Sequence, residues 1–216
     1  DTLKAYKKAD SIYNALVGKK KVDFAATAKA LSDDKGSAAS GGEIGYITAL
    51  QTIYAFENVA YATPVATLSK PFRTIFGYHI IKVLDRRATQ GEIQVAQILL
   101  TTPKSKGEDG VREAKVKADS IINALKAGAD FSALVQAYSE DKFSLKDNGV
   151  LAPFTAGKMV PAFENAAFAL KNIGDIAAPV QTDYGIHIIK LISKTPLKPL
   201  DSLRDVLKRK VENDSR

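Results

Sequence analysis

KADSIYNAL at residues 8–16 returns as KADSIINAL at residues 117–125, with eight of nine positions identical at an offset of 117 − 8 = 109. The match continues along the chain. Asp23-Phe24 aligns with Asp130-Phe131, Ser32-Asp33-Asp34-Lys35 with Ser139-Glu140-Asp141-Lys142, and Gly42 with Gly149. AFENVAY from Ala55 aligns with AFENAAF from Ala162, and Phe76-Gly77-Tyr78-His79-Ile80-Ile81-Lys82 with Tyr184-Gly185-Ile186-His187-Ile188-Ile189-Lys190. Because the offset stays between 107 and 109, the repeating unit is a whole domain rather than a short solenoid motif. Small changes of offset mark loop insertions.

Read outward from this repeat, each copy alternates helical and strand periodicity. Val111, Ala114, Ala118, Ile121 and Leu125 fall three and four apart on one stripe, and Ala5, Ala9, Ile12 and Leu16 repeat it, so a core-facing helix is expected in both copies. Asp130 stands where an N-cap starts a second helix with Phe131, Leu134, Val135 and Tyr138 on one face. Pro161 opens a third, running through Phe163, Ala167 and Leu170. In the second copy Ile93, Val95, Gln97 and Leu99 alternate on one face of a strand. A closing strand puts Ile186 and Ile188 on one face, His187 and Ile189 on the other. The first copy has no opening strand, because its first residues already belong to the helix, and residues upstream of Asp1 are expected to supply it. The economical fold is α+β: two tandem domains, each a short antiparallel sheet covered by helices. The expected division is a first domain at residues 1–87, a second at 91–194 after the basic stretch Arg86 to Gly91, and a linker with an amphipathic helix at 195–216. In that helix Leu200, Leu203, Leu207 and Val211 share a stripe.

Composition excludes several function classes. Hydrophobic residues make up 45% and charged residues 25% of the 216, enough apolar material for a packed core and too much for a disordered chain. No cysteine is present, which removes disulfides, thiolate zinc sites and cysteine nucleophiles and leaves the redox compartment open. No run approaches the roughly 18 apolar residues of a membrane span, and the opening Asp-Thr-Leu-Lys is no leader, so a soluble chain, mature or cropped, is expected. The balance of 31 Lys+Arg against 24 Asp+Glu gives +7. Its longest basic runs, Lys19 to Lys21 and Lys208 to Lys210, are short and lack interleaved aromatics, which speaks against nucleic acid as a partner. No metal-ligand cluster and no cofactor motif stands out.

The order of motifs resembles the parvulin family of peptidyl-prolyl cis/trans isomerases over nearly the whole chain. The resemblance rests on Gln97-Ile98-Leu99, the Gly-Ala-Asp-Phe start at Gly128, Ser139 to Asp141, the turn at Gly149-Val150-Leu151, Gly157-Lys-Met-Val-Pro-Ala-Phe163-Glu, and Pro179-Val-Gln-Thr182-x-x-Gly185-x-His187-Ile-Ile. It implies a proline pocket floored by Leu151, Met159 and Phe163 with Tyr184 beside it, ringed by Gln97, Asp141, Thr182 and His187. Met159 and Phe163 are four apart, as core pairs also are, but Met159 is the chain's only methionine and falls on the family's position. His79 and His187 are the only histidines and stand at the same point of both copies, where a hydrogen-bonded structural role is as natural as catalysis.

Two departures from the family pattern stand out. Gln97 replaces a histidine of the opening strand and cannot be protonated. The run Asn148-Gly149-Val150-Leu151-Ala152 replaces Gly-Gly-acidic-Leu-Gly. The first copy keeps Asp34, Ile44, Phe56, Thr74 and His79 but has Thr52 where Met159 stands, so its pocket floor is more polar and weak or absent activity is expected there. The tandem arrangement resembles the SurA-type bacterial isomerase chaperones, which implies an extracytoplasmic folding factor with unfolded or extended proline-containing polypeptides as partners. Two readings follow: an isomerase acting on Xaa-Pro bonds, or a non-enzymatic chaperone that uses parvulin folds to hold extended clients. The sequence leaves the oligomeric state open.

Overall fold

The computed structural model describes residues 2–18, 22–212 and 214. Its contacts divide the chain into two units, residues 1–88 with 199–216, and residues 89–198. The fold is α+β in both. The first unit runs α1 (Thr2–Val17), α2 (Phe24–Leu31), α3 (Tyr54–Ala62), β1 (Phe72–Thr74) and β2 (Gly77–His79). Asp23 caps α2 by accepting from the Ala26 N–H at 2.7 Å, satisfying one of the donors a helix start leaves unpaired. β1 and β2 form a hairpin pairing Phe72 with His79 and Thr74 with Gly77, extended by a bridge from Leu68 to Lys82. The first described element is a helix, and among the described residues the sheet has two strands.

That thin sheet limits what the helices can bury. Ala9 and Leu16 of the α1 stripe are buried, but Ala5, expected beside them, is exposed because a two-stranded ribbon offers the first turn nothing to pack on. No residue of α2 is fully buried.

The second unit runs β3 (Glu92–Thr101), α4 (Gly107–Lys126), α5 (Phe131–Tyr138), α6 (Pro161–Ala169), β4 (Val180–Thr182) and β5 (Gly185–Thr195). Its antiparallel sheet has the order β3-β5-β4. Strand alternation separates two cores on the two faces of this sheet. Ala96, Ile98, Leu100, Ile186 and Ile188 meet Ala114, Ala118 and Ile121 of α4 and Phe131 and Val135 of α5. Ile93, Val95, Ile189 and Leu191 meet Phe163, Ala167 and Phe168 of α6 and Phe154. Asp130 caps α5 by accepting from the Ala133 N–H at 2.8 Å, and Pro161 fills the first position of α6, where its missing N–H costs nothing. Tyr138, expected on the core face of α5, is 49% exposed, since it is the helix's last residue and the chain turns away there along β3.

After β5 the chain continues into α7 (Leu200–Glu212), whose contacts group it with the first unit. On its apolar stripe Leu203 and Leu207 are half-buried while Leu200 and Val211 are exposed. It carries the basic run Lys208 to Lys210, whereas the run Lys19 to Lys21 lies outside the described residues. No helix among the described residues is long and apolar enough to cross a membrane.

Candidate functional site

The sheet of the second unit places Gln97 opposite Ile189 and Leu99 opposite His187, so the Gln97 and His187 side chains are diagonal neighbours on one face. The segment after α5 is then fastened to the end of β3. The Leu99 N–H donates to Ser139 Oγ at 3.2 Å and the Glu140 N–H to the Leu99 carbonyl at 2.8 Å, which brings Asp141 beside Gln97. Thr182 ends β4 two residues from Val180, the partner of His187. Four side chains from distant parts of the sequence thereby meet.

Their hydrogen bonds have one consistent direction. Gln97 Nε2 donates to Asp141 Oδ2 at 2.7 Å, because only the amide nitrogen can donate to a carboxylate. Gln97 Oε1 therefore faces His187 Nδ1 at 2.8 Å and must accept, which places the imidazole proton on Nδ1. His187 Nε2, left with a lone pair, accepts from the Thr182 hydroxyl at 2.7 Å, and Thr182 Oγ1 in turn accepts from the Tyr184 N–H at 3.1 Å. Burial holds the His187 pKa down to about 4 against the opposing pull of the Asp141 charge, so the ring is neutral over the physiological range. Burial works to raise Asp141, but hydrogen bonds from the Ser144 hydroxyl, Gln97 and the backbone outweigh it and keep this carboxyl below the usual range. The result is a relay Thr182 → His187 → Gln97 → Asp141. It orients its members, and the amide in its middle carries no proton between histidine and aspartate.

Beside the relay lies apolar surface. The Phe163 ring meets the His187 ring edge-on with centroids 5.2 Å apart, and Leu151 and Met159 pack half-buried against the cluster that contains Phe163. Tyr184 is 64% exposed at the β4–β5 turn. The altered turn keeps a left-handed pair, Asn148 at φ 52° and Gly149 at φ 79°, matching Gly41 at 73° and Gly42 at 82°. Asparagine tolerates that region, so the substitution leaves the backbone path intact. Glycine at 149 is required by β3, since a Cβ there would meet the Gln97 carbonyl oxygen at 2.4 Å.

One residue that periodicity alone did not single out shapes this surface. Glu164 is 2% exposed, and its Oε2 accepts from the N–H groups of Gly157 at 2.7 Å, Lys158 at 3.2 Å and Met159 at 3.5 Å. The carboxylate thus folds the loop before α6 back on the helix start and sets where Met159 sits. The available signal was a glutamate in an apolar helix face at the same place in both copies, AFEN at 55–58 and 162–165.

The first unit assembles only part of this arrangement. Thr74 Oγ1 and His79 Nε2 are 2.7 Å apart, and Thr74 accepts from the Phe76 N–H at 3.1 Å, as in the second unit. Asp34 accepts from the Ser37 hydroxyl at 2.6 Å and the Gly36 N–H at 3.0 Å. The Ser37 hydrogen bond leads in holding its carboxyl below the usual range, and burial lowers His79. Among the described residues no side chain bridges Asp34 to His79, and none of them forms a strand at the place β3 holds in the second unit. The rings of Phe56, Phe72 and His79 cluster with centroids 5.5 to 5.9 Å apart, Phe72 stacked on His79 and Phe56 edge-on to it, and Ile44 is 46% exposed.

Against known proteins, the model of the PPIC-type PPIase domain matches twice, over residues 1–87 and 84–195. The chain is 35% identical over 176 residues to the chaperone SurA of Chromohalobacter salexigens, covering 78% of this chain and 39% of that protein. It is 37% identical over 174 residues to the chaperone SurA of Methylobacillus flagellatus, covering 80% and 39%. Over 75 residues it is 55% identical to the foldase protein PrsA 2 of Listeria innocua, covering 35% and 26%. The chain thus spans about two-fifths of the length of these chaperone relatives. Among solved structures it is similar to the peptidylprolyl isomerase PrsA of Bacillus anthracis, at 34% identity and a TM-score of 0.45, covering 59% of this chain and 54% of that one.

Proposed function

The chain belongs to the PPIC-type peptidyl-prolyl isomerase family, and from that membership we propose that it is a folding factor whose second unit rotates Xaa-Pro bonds of unfolded polypeptides. The observation that carries this reading is the edge-on contact of Phe163 with His187, which sets an apolar pocket wall against a relay whose linking hydrogen bonds are made internally. Rotation about a prolyl bond breaks no covalent bond. The barrier of roughly 18–20 kcal/mol comes from amide resonance, which separates charge and is favoured by water. A proline ring held against Met159, Leu151 and Phe163 loses that water, and the planar, charge-separated form loses its advantage over the twisted one. The relay's part is to keep Thr182 and His187 neutral and fixed at the pocket edge, with no proton exchanged.

A second reading is favoured by Gln97: a site that cannot pass a proton along its relay suits holding clients as well as turning them over. On either reading the clients are unfolded or extended proline-containing polypeptides. The resemblance to SurA-type chaperones implies a periplasmic or other extracytoplasmic setting.

Peptide turnover and thermal melting of Met159→Ala test the pocket. A solvent-facing pocket wall should lose at least about tenfold in turnover with melting nearly unchanged. Loss of ~2–5 kcal/mol of stability, the cost of cutting a core methionine, would instead assign Met159 to packing.

A further inference from the structure

Thr52 holds the position in the first unit that Met159 holds in the second, and the backbone there is built the same way. The Glu57 carboxylate, 3% exposed, accepts from the N–H groups of Gln51 at 2.8 Å and Thr52 at 2.9 Å, as Glu164 does from Lys158 and Met159. Leu50 takes the left-handed conformation, φ 69°, that Gly157 takes at 79°. The side chain of residue 52 thus starts from the same place relative to α3 as Met159 does relative to α6. What it presents is different. Thr52 Oγ1 is buried and is the one buried side-chain nitrogen or oxygen among the described residues without a hydrogen-bond partner. Other threonines of this unit use backbone carbonyls: Thr27 bonds to Asp23, Thr63 to Val59 and Thr67 to Pro64, each at 2.7 Å. Orphaned buried hydroxyls are destabilising, and native proteins keep few of them without a use.

We propose that the first unit carries a binding site of its own at Thr52, taking an extended polypeptide by a hydrogen-bonding side chain (Asn, Gln, Ser or Thr) where the second unit takes proline. The hydroxyl of Thr52 can both donate and accept, and the mutually packed Phe56, Phe72 and His79 rings supply apolar surface in the same unit. A side-chain amide or hydroxyl matches this combination. A proline ring offers neither donor nor acceptor and would leave Thr52 Oγ1 unpaired, which is how a polar site rejects an apolar analogue. The two units then differ in the residue type that each reads. This inference rests on the reading of Met159 as a proline-pocket wall.

Site-resolved NMR on the whole chain tests both readings separately, with acetylated pentapeptides Ala-Ala-Xaa-Ala-Ala in which Xaa is Asn, Ser, Val or Pro. The Asn and Ser peptides should shift the backbone signals of Thr52, Phe56 and His79, and the Pro peptide those of Met159 and Phe163. Thr52→Val keeps the branched shape and removes the hydroxyl. It should weaken the Asn peptide roughly tenfold, the worth of one hydrogen bond, while raising the melting temperature. A purely structural threonine would change melting alone. Thr52→Met should lose the Asn peptide and bring the Pro peptide's shifts into the first unit. The proposal is overturned if Asn and Val peptides act alike on the first unit at millimolar concentration, or if Thr52→Val keeps full affinity for the Asn peptide. A Pro peptide that leaves Met159 and Phe163 unmoved, beside an Asn peptide that moves Thr52, would overturn the pocket reading of the second unit instead.

Discussion

His79-Ile80-Ile81-Lys82 and His187-Ile188-Ile189-Lys190 are the same four residues in the two units, yet Ile188 and Ile189 are fully buried while Ile80 and Ile81 remain half-buried. The histidines differ in the same sense. His187 completes a relay to Asp141 through Gln97, whereas His79 meets Thr74 and has no described side chain linking it to Asp34. Both differences trace to β3. It pairs with β5 along its whole length and receives the loop after Gly149 on its other edge, where Gln97 N–H donates to the Gly149 carbonyl at 2.8 Å. A local sequence sets the turn and the strand; a neighbouring strand decides whether the strand becomes core and whether its histidine becomes part of a site.

The largest effect expected from this comparison is on stability. Ile188→Ala should destabilise the second unit by about 3–4 kcal/mol, since it opens a cavity between sheet and helices. Ile80→Ala should cost the first unit about 1 kcal/mol, because that side chain gives up less buried area. Hydrogen exchange reads each unit separately. Equal costs would show that the first unit is as well packed as the second and would break the comparison.

A smaller effect is expected with pH. His187 is held near 4 when folded and lies near 6.5 when unfolded, so between these values the unfolded chain binds a proton that the folded unit refuses. Stability of the second unit should therefore be full above pH 6.5 and fall as pH drops toward 4, by roughly 2 kcal/mol after allowance for solvent screening. Asp141, held below its ordinary value, adds a loss of the same sign at lower pH still. Melts of wild type and His187→Gln across this range check it, and an identical slope in both would detach the loss from His187. Turnover, by contrast, should be flat from pH 6 to 9, because no member of the relay titrates there.

The smallest effect concerns the relay itself. Gln97→His should raise turnover a few-fold without unfolding the unit and should introduce a pH dependence near neutrality. A lower rate would mean that the fixed polarity supplied by the glutamine amide suits this ring better than an imidazole.

Much of this architecture was legible in the sequence, and the limits have physical causes. The repeat gave two α+β units, and alternation in β3 and β5 correctly separated the faces that carry Ile98 and Ile188 from those that carry Val95 and Ile189. Periodicity names the face of a helix and says nothing about what covers it, which is why Ala5 and Tyr138 were expected inside and lie outside. The direction of the relay depends on the register Gln97↔Ile189, which pairs residues more than 90 positions apart. The cradle at Glu164 was hidden for another reason. An acid in an apolar helix reads as a solvated face until three backbone N–H groups are seen to surround it. The grouping of α7 with the first unit likewise depends on contacts that no local pattern records.

The central claim is that the second unit alone holds a working prolyl site, and the most direct test is the rate of cis/trans isomerisation of a short Xaa-Pro peptide with residues 89–198 produced alone. These residues form a compact unit with both hydrophobic cores inside it. The account predicts that this segment, confirmed folded by its NMR spectrum, accelerates isomerisation as well as the whole chain does. A folded segment that gives no acceleration above background, while the whole chain does or does not, would contradict it.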